Sequence, residues 1–432
     1  MSNSKLNHLD VDFIRSCFPT FKHPLAAKTA FFENAGGSYV AGAVIDRLTH
    51  FYTFNKVQPY GESEILNTAG EQMDTGRQTM ADLLGIDSTD LTLGASTTQN
   101  FNTLAYACEG FVTAESEVIV TDQDHEANIG AWERLCERTG ATLKVWQVNP
   151  ETAELDLTDF EALLTPATAI VCMTHSSNIV GTINPVEKVI DLCNKNSTIK
   201  NQGSQNSTRV AIDGVSYAPH MWPDIPSLKP DAYCFSTYKT YGTHMGVMVT
   251  SEDFRSQLTP QCHYFNQSYP HKLLDGAGPD HASIAALAGL GNYFSDTHQH
   301  HFGNTDLSLY EKAQQISALM HAHETQLCGQ LLDGISQLPI RIVGRDNVQG
   351  REANIALTSA KLSSAAMSKH LAAKDIAAGN GNFYAARLLG KAGITDIEDG
   401  VLRISFSHYN TAEEVDRVID ALKDCHLRQH VF

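Results

Sequence analysis

Lys239 carries the most distinctive chemistry of the chain, in the stretch 231–246, DAYCFSTYKTYGTHMG. An apolar run (232–235) leads directly into Ser236, Thr237, Tyr238 and Lys239, which places the amine just past the carboxyl end of a buried strand. In a confined pocket a lysine loses its proton readily and condenses with an aldehyde; beside an open strand end it snorkels its ammonium into water. Asp213 is the second marked position and closes the apolar run 210–212 in VAIDGVSYAPH. A carboxylate there is expensive to desolvate unless a metal, an arginine or a protonated ring nitrogen faces it. No second carboxylate or histidine pair stands beside it at ligand spacing, so metal is the weaker choice and no metal site is expected.

Three more windows narrow the chemistry. In 91–107, LTLGASTTQNFNTLAYA, a strand ends at Gly94 and Ser96, Thr97 and Thr98 open a helix. Free N–H groups, the helix dipole and hydroxyls favour an anion there, although an ordinary N-cap uses the same residue types. In 118–132, VIVTDQDHEANIGAW, His125 follows a strand end, where an imidazole face can cover a flat ring; a lone structural histidine is the commoner alternative. Ile129 occupies the second histidine position of HExxH, which removes the zinc-protease reading. His175, Ser176, Ser177 and Asn178 follow the apolar run 169–174. A hydroxyl-rich helix start, a ring cover, a strand-end aspartate and a strand-end lysine together suit a phosphorylated aromatic aldehyde whose ring nitrogen stays protonated. Pyridoxal 5'-phosphate is that molecule.

These residues need a scaffold, and the pattern supplies one. From about 75 to 250, apolar runs at 118–121, 143–148, 169–174, 210–212, 232–235 and 246–249 alternate with amphipathic stretches such as 126–138 and 186–194. Such alternation predicts an α/β fold with a mostly parallel sheet covered on both faces, whose ligands gather beyond the strands' carboxyl ends. The polar stretch 194–208 reads as a surface loop. A short helix is expected at 11–17. Another at 281–294 gives way to SDTHQHHFGN, and a long one starts near Ser308. Strands near 340–344, 353–358 and 401–407 and helices near 363–373, 384–391 and 411–422 predict a smaller C-terminal α/β unit, with Thr411 and Glu414 as a capping box. His298, His300, His301, His321 and His323 read as a solvated face.

The 432 residues carry a formal charge of −18, which disfavours nucleic acid. No run approaches the roughly 18 apolar residues of a membrane span. The nine cysteines are scattered without CxxC, the usage of a reducing, cytoplasmic compartment. Gly289-x-Gly291 and Gly379-x-Gly381 lack the third glycine of a nicotinamide fingerprint.

Asp213-Gly214, Ser236-x-x-Lys239, and Arg403 followed by His408-Tyr409-Asn410-Thr411 are the most specific motifs in a pattern that spans nearly the whole chain. In this order the windows resemble the class V aminotransferase family of fold-type-I pyridoxal phosphate enzymes, in its cysteine desulfurase/selenocysteine lyase-like branch. The resemblance implies a large cofactor domain (31–290) with a mostly parallel seven-stranded sheet, a small C-terminal domain (291–432), and an N-terminal segment (1–30) packed with the small domain. It implies Lys239 as Schiff-base lysine and proton shuttle, and Asp213 on the pyridine nitrogen. His125 is then stacked on the ring, and Ser96, Thr97, Thr98 and Ser236 lie around the phosphate. Ser216 and Tyr238 fall at cofactor-contacting positions where the family usually has glutamine and histidine. Asn34, Ala35, Asn178, Arg403 and Tyr384 are implied on the substrate side, with the Asn178 and Arg403 pair on its carboxylate. A homodimer and a small amino-acid substrate are implied as well. Ala277-Gly278-Pro279 lacks the threonine that usually reaches the neighbouring subunit's phosphate.

Desulfurases of this branch use a nucleophilic cysteine on a small-domain loop. Here the loop reads Gly379-Asn380-Gly381-Asn382-Phe383-Tyr384, and no cysteine occurs between Cys328 and Cys425. A phenol cannot carry sulfane sulfur. The expected chemistry is therefore β-elimination or C–S lyase action without a protein persulfide. Transamination or epimerisation stands as the alternative, and a non-catalytic, cofactor-retaining regulator as the alternative from another class.

Overall fold

Strand ends that converge on one edge organise the molecule. The computed structural model describes residues 8–200 and 207–427. After the short β1 (Ala30–Phe31) come seven strands: β2 (Leu91–Gly94), β3 (Glu117–Thr121), β4 (Thr142–Trp146), β5 (Thr168–Thr174), β6 (Arg209–Asp213), β7 (Ala232–Ser236) and β8 (Gly246–Thr250). They form one sheet in the order β2-β8-β7-β6-β5-β3-β4, parallel except where β8 runs antiparallel to both its neighbours. Along β7 the side chains alternate between two cores: Ala232 and Cys234 join one, Tyr233 and Phe235 the other. Two buried faces are what the uninterrupted apolar runs demand.

The remaining strands are β9 (Ile340–Val343), β10 (Asn354–Ser359), β11 (Ile376–Ala377), β12 (Asn380–Gly381) and β13 (Val401–Ser405). An antiparallel sheet in the order β12-β13-β10-β9 packs its Ile355, Leu402 and Ile404 with Val415, Val418 and Leu422 of the helix Ala412–Leu427. The expected capping box of that helix forms, with Thr411 Oγ1 accepting from the Glu414 N–H at 3.2 Å and Glu414 Oε2 from the Thr411 N–H at 3.1 Å. The long helix Leu309–Ile335, capped by Ser308 and Glu311, ties the two sheets together. Its Ala313, Ile316 and Met320 enter the core of the large sheet, and Leu327, Leu331 and Ile335 that of the small one. β1 pairs with β11, and Arg15 of the helix Val11–Ser16 meets Glu414 at 3.0 Å.

Several expectations need correction. The histidine-rich stretch is helical: Ala288–Phe302 continues through it after a break from His281–Ala286. His298 and His301 are buried rather than solvated, and His301 Nε2 accepts the Asp10 N–H at 2.9 Å. His300 and His301 hold the N-terminal segment through Asp10, while His298 bonds Gln315 of the long helix at 3.0 Å. The helix Glu64–Leu84 was not among the expected elements; small residues (Ala69, Gly70, Gly76) interrupt its buried face, which also carries Met73, Met80, Leu83 and Leu84. Gly76 needs that smallness, since a Cβ there would collide with the Ile284 carbonyl. The helix Val186–Lys200 takes up the first part of the expected polar loop, and 201–206 lie outside the described residues.

Candidate active site

One cavity of about 200 Å³ lies beyond the carboxyl ends of the large sheet's strands. Ser96, Thr97, Thr98, His125, Asn178, Asp213, Ser216, Ser236, Tyr238 and Lys239 line it, as does His244, which sequence reasoning passed over. The fold accounts for each placement. Asp213 is the last residue of β6, paired in register with Cys234 on β7. Ser236 ends β7, and the 3-10 turn Thr237–Lys239 carries the lysine back over the same edge. His125 is the N-cap of Glu126–Thr139, and Ser96 caps Thr97–Ala107. Gly246 lets β8 approach that helix start, because any Cβ would strike the Ser96–Thr97 peptide.

Electrostatics separates the roles. Lys239 is 8% exposed and has no hydrogen bond or ion pair to another described residue. Burial and the Arg403 charge lower its pKa to about 8, against the opposite pull of Asp213 and Glu33. A usable fraction of the amine is therefore neutral near pH 7. Burial raises Asp213 to about 6, while the Val215 N–H (2.9 Å to Oδ1) and Lys239 favour its ionised form. Its second oxygen has no donor among the described residues. His125 is pushed down to about 4 by burial, then by Lys239 and Arg403, and stays neutral. Its Nδ1 accepts the Ala127 N–H at 3.0 Å, which fixes the ring's orientation and leaves the proton on Nε2. At the helix start Thr97 Oγ1 and Ser236 Oγ lie 2.8 Å apart, and Thr98 is exposed. The Tyr238 ring stacks on His244 with 4.6 Å between centroids.

The expected substrate-side residues are arranged differently from one another. Asn178 reaches the cavity: its Nδ2 donates to the Phe383 carbonyl at 2.9 Å, and its buried Oδ1 has no partner among the described residues. Of the rest of that window, Ser176 donates to Glu352 and Ser177 accepts the Ile179 and Val180 N–H groups. His175 supports Asp213 from behind, its N–H bonding the Asp213 carbonyl at 2.7 Å and its ring stacked on Tyr217. Asn34 and Ala35 line a smaller adjoining pocket that shares Lys239. The Asn34 amide is already engaged by the Phe31 and Ser405 carbonyls, and its Oδ1 accepts from Tyr409. Arg403 is 3% exposed and stands behind Asn178, not on the main cavity's wall. Its guanidinium donates to Glu33 Oε1 at 2.7 Å and to the Asn178 carbonyl at 3.2 Å, under the Phe383 ring. Tyr384 is 72% exposed, 5.1 Å from the His125 ring. The Glu33 contact was missed, although Glu33 immediately precedes the Asn34-Ala35 pair that drew attention.

The profile of the Aminotransferase class-V family matches residues 30–418. The chain belongs to the class V aminotransferase family. The aminotransferase-like protein FGM3 of Gibberella zeae is 31% identical over 98% of this chain and 99% of its own length. A probable cysteine desulfurase of Mycolicibacterium paratuberculosis is 29% identical over 96% of this chain, which spans 58% of that longer protein. The cysteine desulfurase CsdA from Escherichia coli shares the fold, with a TM-score of 0.80 at 22% identity over 98% of this chain and 100% of that one. This class V aminotransferase family member is a pyridoxal-phosphate-dependent enzyme of the cysteine desulfurase-like branch.

Membership implies a pyridoxal phosphate site, and the residues present fit it. An unpaired buried amine and a carboxylate oxygen without a donor open into one cavity, next to a hydroxyl-bearing helix N-terminus. Among the described residues no cluster could hold a metal ion, and no helix is long and apolar enough to cross a membrane.

Proposed function

We propose that this class V aminotransferase family member carries pyridoxal phosphate covalently on Lys239 and eliminates a β-substituent from an α-amino acid without a protein persulfide. The observation that carries the reading is the shared cavity: Lys239 and Asp213 sit on neighbouring strand ends, both buried and both unengaged on the cavity side. Bound there, the cofactor supplies an electron sink for a carbanion at the substrate α-carbon. Asp213 keeps the ring nitrogen protonated, and His125, held neutral, covers the ring face without adding charge. Ser96, Thr97, Thr98 and Ser236 take the phosphate, while Ser216 and Tyr238 border the ring. Lys239 holds and moves the proton at the substrate α-carbon, a task suited to an amine titrating near neutrality. Arg403 and Asn178 receive the substrate carboxylate, with Asn34, Ala35 and Tyr384 bordering the substrate.

Thiol distribution favours elimination over sulfur transfer. None of the cavity-lining residues is a cysteine, and burial pushes the thiols of Cys172 and Cys234, on the strands beneath, far above their ordinary range. A thiolate nucleophile is therefore missing from the site. We further propose a homodimer in the cytoplasm, without nucleic-acid partners; the helix Ala288–Phe302 and the strand Ala30–Phe31 run across the expected divisions at 290/291 and 30/31. A panel of amino acids scored separately for sulfide, for free keto acid with ammonia, and for inverted stereochemistry tests the reaction. Ammonia and keto acid from substrates with a β-leaving group, without an amino acceptor, are expected. Turnover only with an acceptor keto acid selects transamination instead, inversion alone selects epimerisation, and no turnover by fully loaded protein selects a regulatory role.

A further inference from the structure

The arginine assigned above to the substrate carboxylate already holds a carboxylate. Glu33 Oε1 sits 2.7 Å from an Arg403 terminal nitrogen, and Glu33 Oε2 accepts the Gly379 N–H at 2.7 Å. The two partners are unequally fixed. Arg403 has a side chain only 3% exposed, anchored to the Asn178 carbonyl and covered by Phe383 at 3.7 Å. The Glu33 side chain is 27% exposed and can leave toward water. Arg403 Nε is buried without a partner among the described residues, a donor left in reserve. Both charges reach Lys239, so the pair belongs to the cavity's electrostatics and not to a remote surface.

We propose that Glu33 is an internal occupant of the Arg403 carboxylate seat, which an incoming amino-acid carboxylate must displace, making Glu33 the residue that sets substrate affinity. The inference rests on the assignment of Arg403 to the substrate carboxylate. Its physical basis is competition: two carboxylates on one guanidinium repel, and the substrate gains only the difference between its own pairing and that of Glu33. Displacement also frees the Gly379 amide at the start of the 379–384 loop. Carboxylate binding is thereby coupled to the segment that carries Phe383 and Tyr384, both of which hold left-handed backbone angles.

Glu33→Gln keeps an acceptor for Gly379 and removes the competing charge. In the holoenzyme it is expected to lower KM for the amino-acid substrate on the order of tenfold, a value reduced by solvent screening at the half-open Glu33, with a larger effect on KM than on kcat. Backbone hydrogen exchange of the peptide containing Gly379 supplies a readout independent of turnover. With glycine as the probe, exchange is expected to quicken in the wild-type holoenzyme as residue 33 leaves Gly379, and to quicken at a lower glycine concentration in the Gln variant. A raised KM in Glu33→Gln, or exchange unmoved by glycine in the wild type, overturns the proposal and leaves Glu33 as a residue that merely orients Arg403. The wild-type exchange measurement decides the matter even if the variant does not fold. Arg403→Lys separates the two assignments: if it leaves KM unchanged, the carboxylate seat is elsewhere and the underlying reading fails, whatever Glu33 does.

Discussion

Lys239→Ala is expected to abolish covalent cofactor attachment and to lower kcat by at least about 10⁴-fold, since one side chain serves as both the point of attachment and the proton carrier. The fold should survive. Lys239 makes no hydrogen bond or ion pair with another described residue whose loss would destabilise the 3-10 turn, and alanine removes a buried amine that is costly to protonate. The variant should therefore melt close to the wild type while losing the cofactor's visible absorbance on desalting. Added primary amines such as ethylamine are expected to restore a small part of the activity, because the empty position opens into the cavity. A variant that keeps its colour and its turnover would remove Lys239 from the chemistry.

Asp213→Asn should produce the next largest effect, with a different signature. Asparagine keeps the size and the acceptor for the Val215 N–H, but it cannot offer a negative charge to the ring nitrogen. Removing one partner of a buried charge pair is worth about 3–5 kcal/mol, which corresponds to a kcat lower by roughly 10²–10⁴-fold. Attachment through Lys239 and the hydroxyl cup at Ser96, Thr97 and Ser236 is untouched, so the protein should still load. A yellow but slow enzyme is the predicted outcome, measured by absorbance and steady-state kinetics on the same sample. Unchanged kcat in a fully loaded Asn variant would show that the ring nitrogen lies elsewhere.

The sequence was most informative where local chemistry and local structure coincide. Asp213 and Lys239 each follow an apolar run, and a parallel sheet brings consecutive strand ends to one edge; the register Asp213↔Cys234 is what puts the two residues in one cavity. His125 and Ser96 were readable for the same reason, since both cap helices that leave strand ends. What could not be read was set by distant partners. Glu33 and Arg403 are 370 residues apart in sequence, and nothing within either window reveals that their side chains meet. The solvated reading of His301 failed because the N-terminal segment, through Asp10, covers a face that periodicity alone leaves open, and that of His298 because Gln315 of the long helix meets it. The Glu64–Leu84 helix is harder to see because Ala69, Gly70 and Gly76 interrupt a buried face whose larger residues are Met73, Met80, Leu83 and Leu84, which thins the amphipathic stripe over its first turns.

The claim on which the account turns is that one buried amine, opposite Asp213, bears the cofactor. Borohydride reduction of the loaded protein, followed by proteolysis and peptide mass mapping, tests it directly. A phosphopyridoxyl mass on the peptide that contains Lys239, in a ratio approaching one per chain, is the predicted result. The same mass on any other lysine, or no adduct in a protein that binds pyridoxal phosphate, would contradict the account.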